Sequence, residues 1–178
     1  MRAPVRKELM KCFERELQIR WSQFARIDSE ADSRKWSWKI APNLVFFVTA
    51  QALRRQDQFV VEVAWNETEE FPYAALGLDV DQAQGRERLV RLWESGPRES
   101  VWDVAPEETA RMLQRLEAYG EGKGSSIGID DPPPLDQTLP RVLPLVCDAL
   151  DKFGEHGMRL FRRVAEAHGV EWPPKQEA

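Results

Sequence analysis

The stretch Lys35-Trp36-Ser37-Trp38-Lys39-Ile40-Ala41-Pro42-Asn43-Leu44-Val45-Phe46-Phe47-Val48-Thr49-Ala50 decides the fold. Its first six residues alternate, so that Trp36, Trp38 and Ile40 share one face of an extended chain and Ser37 and Lys39 share the other. Pro42-Asn43 supplies a turn. Leu44 to Leu53 then reads as a second strand, apolar on both faces at its centre. After a polar connection at 54–58 comes a third strand, Phe59 to Trp65, with Phe59, Val61, Val63 and Trp65 on one face. Connections this short predict an antiparallel β-meander.

Working outward, residues 4 to 20 read as a helix. Pro4 suits a first-turn position, and Val5, Leu9, Cys12, Phe13 and Leu17 fall at helical spacing. The segment 21–27 is ambiguous between a helix end and a short strand, and 28–33 is polar enough to be a loop. Residues 66 to 85 carry the least regular pattern, with Phe71-Pro72-Tyr73 expected to form a loop packed by its aromatics. Arg86 to Trp93 is expected to form a short helix, and Ser100 to Val104 a fourth, edge strand. Pro106 to Tyr119 reads as a helix, with Glu107 and Glu108 at its positive end and Met112, Leu113 and Leu116 as its apolar stripe.

A Gly/Pro-rich loop is expected over 120–134. Leu139 to Phe153 and Met158 to His168 fit an αα-hairpin with Gly154 and Gly157 in the bend, Gly169 stops the second helix, and 171–178 reads as a tail. Together these elements predict one α+β domain over residues 1–170: an antiparallel meander of three or four strands, covered on one face by the N-terminal helix and the C-terminal helical hairpin. The 178-residue length suits a single domain.

Composition narrows the function classes. Hydrophobic residues make up 42% and charged residues 31%, as in a globular rather than a disordered chain. The basic start leads into no apolar segment of signal-peptide type, and no apolar run approaches a membrane span, so a cytoplasmic location without membrane contact is expected. The net charge of −5 argues against nucleic acid as the main partner. Cys12 and Cys147 are far apart and are expected to be buried free thiols in a reducing compartment.

The familiar chemical constellations are missing. His156 and His168, twelve residues apart, have no partner at ligand spacing, so no zinc site is expected. Asp79-Val80-Asp81 with Gly85 lacks the remaining oxygen ligands of a calcium loop, since Ala83 and Val90 stand where they would be. Gly120, Gly122 and Gly124 around Lys123 leave a helix instead of joining strand to helix, and do not make a phosphate loop. No serine elbow and no Cys–His signature is present. The adjacent acids Glu69-Glu70 and Asp130-Asp131 read as solvated loop residues. No catalytic residue, metal or cofactor is expected.

Charge patterning is the stronger signal. Between Gln56 and Gly85 lie Asp57, Glu62, Glu67, Glu69, Glu70, Asp79 and Asp81 without one Lys or Arg, whereas the first helix is rich in both. Such a run is either an ordinary solvated face or a surface for a basic partner. The seven Trp divide between packing and binding. Trp36, Trp38 and Trp65 belong with the sheet, Trp21 and Trp172 lie near helix ends, and Trp93 and Trp102 border the irregular region and are expected at an interface.

The order of these elements resembles a known family. A basic amphipathic helix is followed by the aromatic strand 35–40, the long strand from Leu44 and the strand Phe59 to Trp65. A Trp-containing edge element then precedes a helix, and the Leu/Pro-rich end Leu139-Pro140-Arg141-Val142-Leu143-Pro144 closes the pattern. Over roughly residues 5 to 165 this resembles the bacterial family catalogued as domain of unknown function 4304. The resemblance implies an α+β fold and carries over no catalytic residue.

Small acidic α+β proteins of this kind often look like immunity proteins for bacterial toxins, an analogy at the level of the fold. The expected function is a non-enzymatic interaction protein, most concretely an immunity-type inhibitor. It would bind a cationic toxin surface through Glu67, Glu69, Glu70, Phe71, Tyr73, Asp79, Asp81 and Trp102. The alternatives are a small-molecule or peptide-binding module, or a weak carboxylate-based hydrolase, with a deep Trp-lined pocket. A subunit of a multi-protein complex, with a large apolar patch, is a third.

Overall fold

The computed structural model describes residues 1–54, 56–74, 77–93, 101–121 and 132–173. The expected loop at 120–134 therefore lies mostly outside the described residues, as do Ser100 and the last part of the expected tail. The fold is α+β, as expected.

Helix α1 (Ala3–Arg20) starts on Pro4 and buries Val5, Leu9, Met10, Cys12, Phe13 and Leu17, the stripe that helical spacing picked out. Six strands follow. They are β1 (Ala25–Ser29), β2 (Ser33–Ala41), β3 (Leu44–Ala52), β4 (Gln58–Asn66), β5 (Gln84–Arg88) and β6 (Trp102–Asp103). The sheet runs in the order β1-β2-β3-β4-β5 with every pair antiparallel, and β6 pairs with β4 through Gln58–Asp103 and Phe59–Trp102. The Pro42-Asn43 turn joins β2 to β3, and Trp36 faces Val48, Trp38 faces Phe46 and Lys35 faces Thr49 across that pair.

Two strands correct the reading from sequence. Strand β1 takes the strand alternative for part of segment 21–27 and runs on into the expected polar loop, because Asp28 reaches Lys35 of its neighbour and Glu30 N–H closes the hairpin on the Ser33 carbonyl at 2.9 Å. Strand β5 replaces the start of the helix expected from Arg86, and only Leu89–Leu92 forms a 3-10 turn. Its polar sequence QGRER hides a close fit. Gly85 lies opposite Trp65, and a Cβ there would sit 2.1 Å from the indole, so only glycine lets the β5 backbone pass over that ring.

The C-terminal helices also depart from expectation. Residues Leu135–Thr138 form α3, a 3-10 turn spans Leu139–Arg141, and α4 (Val142–Lys152) runs through a π-helical turn at Phe153–Gly157 into α5 (Met158–Ala167). There is no hairpin bend. Gly157 is right-handed helical at φ −65° and ψ −46°. The two glycines serve close packing instead: a Cβ on Gly157 would meet the Phe153 ring at 2.4 Å, and one on Gly154 would meet Trp21 at 3.1 Å. Gly169, at φ +70°, ends α5 as expected. Its N–H bonds the Glu166 carbonyl and the Val170 N–H bonds that of Ala165, the paired bonds of a left-handed helix stop.

One face of the sheet carries the main core. Phe13 of α1 stacks on Trp36 at 5.2 Å, and Phe161 of α5 lies flat on Phe46 at 4.2 Å and 3°. Trp36 and Trp65 are fully buried, and Trp38 and Ile40 pack against the core from its rim. Trp172, placed by sequence in a tail, packs on Trp38 at 5.5 Å.

Helix α2 (Pro106–Gly120) forms where expected but buries none of its residues, and Leu113 and Leu116 of its stripe face solvent. No helix among the described residues is long and apolar enough to cross a membrane.

Candidate functional site

The second face of the sheet is where the expected surface residues gather. Alternation sends Lys35, Ser37 and Lys39 of β2, Val45, Phe47 and Thr49 of β3, Glu62 and Ala64 of β4 and Arg86 of β5 to this side. Val45, Phe47 and Ala64 make a small separate apolar cluster, and Phe71 covers it. Phe71 comes from the long connection between β4 and β5, which starts and ends together because Glu67 N–H bonds the Ala83 carbonyl at 3.0 Å. The connection folds back so that the Phe71 ring meets Phe47 edge-on at 5.5 Å, with Tyr73 edge-on to Phe71 at 5.0 Å. The expected loop packed by its own aromatics is this one.

Cations from the sheet pin it. Lys35 Nζ lies 2.9 Å from Tyr73 Oη, 2.9 Å from Glu30 Oε1 and 3.1 Å from Asp28 Oδ2. It also sits 5.0 Å from the centre of the Tyr73 ring and 5.6 Å from that of Phe71. Burial alone pulls the Lys35 ammonium down, but the hydrogen bonds to Tyr73, Glu30 and Asp28 outweigh it and hold its pKa above the ordinary lysine value. Arg86 donates from Nε and Nη2 to Glu62 Oε2 at 3.1 and 2.7 Å and from Nη1 to the Tyr73 carbonyl at 3.0 Å. Its guanidinium lies 5.3 Å from the centre of the Phe71 ring.

The acidic run is therefore divided by the fold. Asp57 is buried against Arg2, which donates from Nε at 2.6 Å and from its backbone N–H at 2.8 Å. Glu62 is buried against Arg86. Glu69 is exposed and bonded to Lys39 at 2.6 Å, and that cation holds its carboxyl below the usual range. The carboxylate of Glu67 stands 3.9 Å from His168 Nε2. Asp79 caps its own turn, accepting from Asp81 N–H at 3.3 Å and Gln82 Nε2 at 3.1 Å. Glu70 and Asp81 are exposed, and among the described residues nothing partners their carboxylates.

The structure thus brings Glu67, Glu69, Glu70, Phe71 and Tyr73 into one segment, and sets the Asp79–Asp81 turn beside it through Gln82, whose carbonyl accepts from Trp65 Nε1 at 3.0 Å. Trp102 is not with them. It is 7% exposed, stacks on Phe59 at 5.5 Å on the opposite face and donates from Nε1 to Asp148 Oδ2 at 2.8 Å. Expected as an exposed anchor, it is a core residue, because β6 pairs it beside Phe59 at the far end of β4. Trp93 is half-buried against His156 at 5.0 Å. Lys35, Lys39 and Arg86 shape the site but are not among the site residues expected from sequence. The signal available was strand alternation, which places Lys35 and Lys39 on the face away from Trp36.

Among the described residues no group of His, Cys, Asp and Glu is arranged to hold a metal ion. Cys12 is buried and Cys147 half-buried, and both are free. A groove of about 470 Å³ lies between the β1–β2 turn and the end of β3, lined by residues such as Glu30, Asp32, Gln51 and Arg54 and by no Trp. The chain matches no protein-family model, no curated protein and no solved structure.

Proposed function

We propose that this protein is a non-enzymatic interaction protein, most concretely an immunity-type inhibitor, that engages a cationic protein surface with the β4–β5 connection. The reading rests chiefly on one observation. The connection carries the exposed residues Glu67, Glu70, Asp79 and Asp81 and, between them in sequence, a Tyr73 side chain that is 62% exposed yet fixed in place through its hydroxyl. A rigid, amphipathic ring costs little entropy to bury, and charge of one sign on the same segment speeds encounter with the opposite sign. Glu69 ties the segment to Lys39 at its exposed side, Phe71 packs it on Phe47, and Trp102 plays no part.

Binding is favoured over catalysis by how the buried ionic groups are used. Lys35, Asp57 and Glu62 are each committed to an ion pair inside the chain. The buried Thr49 hydroxyl lies in register between Lys35 and Glu62, a placement that suggests a nucleophile beside a base. A lysine base must be neutral, and Lys35 is held charged by two carboxylates and a phenol.

The test is affinity capture from the native host, followed by titration of the purified partner. Reversing Glu67, Glu70, Asp79 and Asp81 to Lys should weaken binding at least about tenfold and flatten its salt dependence. Equal affinity for the reversed and native proteins would discard the surface.

A further inference from the structure

The Lys35 ammonium has three hydrogens and three acceptors, Tyr73 Oη, Glu30 Oε1 and Asp28 Oδ2, within 2.9–3.1 Å. Two aromatic rings flank it, centred 5.0 and 5.6 Å away. Its side chain is 5% exposed while those of Asp28 and Glu30 are 45% and 60% exposed, so the cation is the enclosed group and its carboxylate walls face water. This is the chemistry by which free alkylammonium ions are recognised: ring faces for the charge, carboxylates and a hydroxyl for the N–H bonds.

We propose that Asp28, Glu30, Phe71 and Tyr73 form a cage for a primary alkylammonium, that the chain's own Lys35 occupies it, and that this occupancy holds segment 66–74 down on the second face of the sheet. Half of the cage, Asp28 and Glu30, belongs to β1 and the turn after it. The other half, Phe71 and Tyr73, belongs to the β4–β5 connection, so the cation is the link between them. The other ties across this seam are of different kinds. Lys39–Glu69 is an exposed pair and holds weakly. Arg86 spends two donors on Glu62 and meets the segment through its planar face on Phe71 and one bond to the Tyr73 carbonyl, leaving the Tyr73 side chain to Lys35. Phe71 on Phe47 is apolar and sets position without closing the outer rim at Tyr73.

The cage predicts chemical rescue. Lys35→Ala removes three methylenes and the ammonium, and n-propylammonium has that shape and charge. Hydrogen exchange in the full chain should show the amides of 67–71 exchanging about tenfold faster or more in Lys35→Ala, with the β3 amides still protected. Millimolar n-propylammonium should restore protection, and tetramethylammonium, which has no N–H, should not. Lys35→Met, whose stem fills the slot without charge, should show the fast exchange and no rescue. Unchanged exchange at 67–71 in Lys35→Ala, or a failure of n-propylammonium to restore it, overturns the proposal. Should Lys35→Ala fail to fold, Tyr73→Ala carries the test, since that side chain is mostly exposed and lies outside the core. Exchange at 67–71 left unchanged by Tyr73→Ala overturns the proposal equally.

Discussion

Gly85 and Trp65 form a single fitted pair across β4 and β5. The indole packs against the glycine and donates its N–H to the Gln82 carbonyl, so the ring closes the core and ties the connection before β5. Gly85→Ala should therefore cost about 1–3 kcal/mol by overpacking, read as a lower urea midpoint with an unchanged slope. Gly77 has open space around it and is not a packing glycine, although its φ of +127° demands the residue for conformational reasons. Cys12 shows how burial sets reactivity. Desolvation, helped by the Glu8 carboxylate 3.3 Å away, pushes its thiol up to about 11. Neutral alkylating reagents at pH 8 should label half-buried Cys147 well before Cys12, and mass spectrometry of digested protein reads the order. A thiol raised in the folded state stabilises the fold fully below its unfolded value. That contribution should fade as pH rises from the ordinary thiol range through about 11.

At the level of elements, helix α2 and the C-terminal helix behave oppositely for the same apolar periodicity. Pattern alone makes Leu113 and Leu116 core residues, yet they are 50% and 42% exposed, whereas Leu150 of α4 is fully buried. Leu113→Ser and Leu116→Ser should change stability by less than about 0.5 kcal/mol, while Leu150→Ala should cost about 2–5 kcal/mol, both measured by denaturant unfolding. The glycines near 154–157 were legible as special residues but not in their use. Glycine marks either a chain reversal or a close approach, and only the rings of Trp21 and Phe153, one of them distant in sequence, choose the second. Strand β1 was legible only as one of two readings of 21–27, for a related reason. An edge strand that is mostly exposed carries no apolar alternation, and its pairing with β2 depends on backbone groups and on Asp28 meeting Lys35.

Across the whole molecule, the sheet and helical layers meet through aromatic stacking. Phe46 and Phe161 are parallel at 4.2 Å, with Phe24 and Phe153 around the Phe161 ring. A double-mutant cycle on Phe46→Leu and Phe161→Leu should give a coupling of about 0.5–1.5 kcal/mol, and additive losses would mean that area alone joins the layers. By itself the sequence determined the α+β class, helices α1 and α2, the three central strands with the turn between β2 and β3, the edge strand at Trp102 and the helix stop at Gly169. Each of these is written in local periodicity or in a residue whose backbone preference acts within a few positions. Tertiary structure alone decided the rest. It divided the acidic run, pairing Asp57, Glu69 and Glu62 with Arg2, Lys39 and Arg86 from other elements and leaving Glu70 and Asp81 exposed. It sank Trp102 into the core through pairing with β4, and it enclosed Lys35 between a strand edge and a connection that starts more than thirty residues later. Charge and aromaticity act over a few ångströms of space, so their partners are set by which segments the closed sheet makes neighbours and not by their neighbours along the chain.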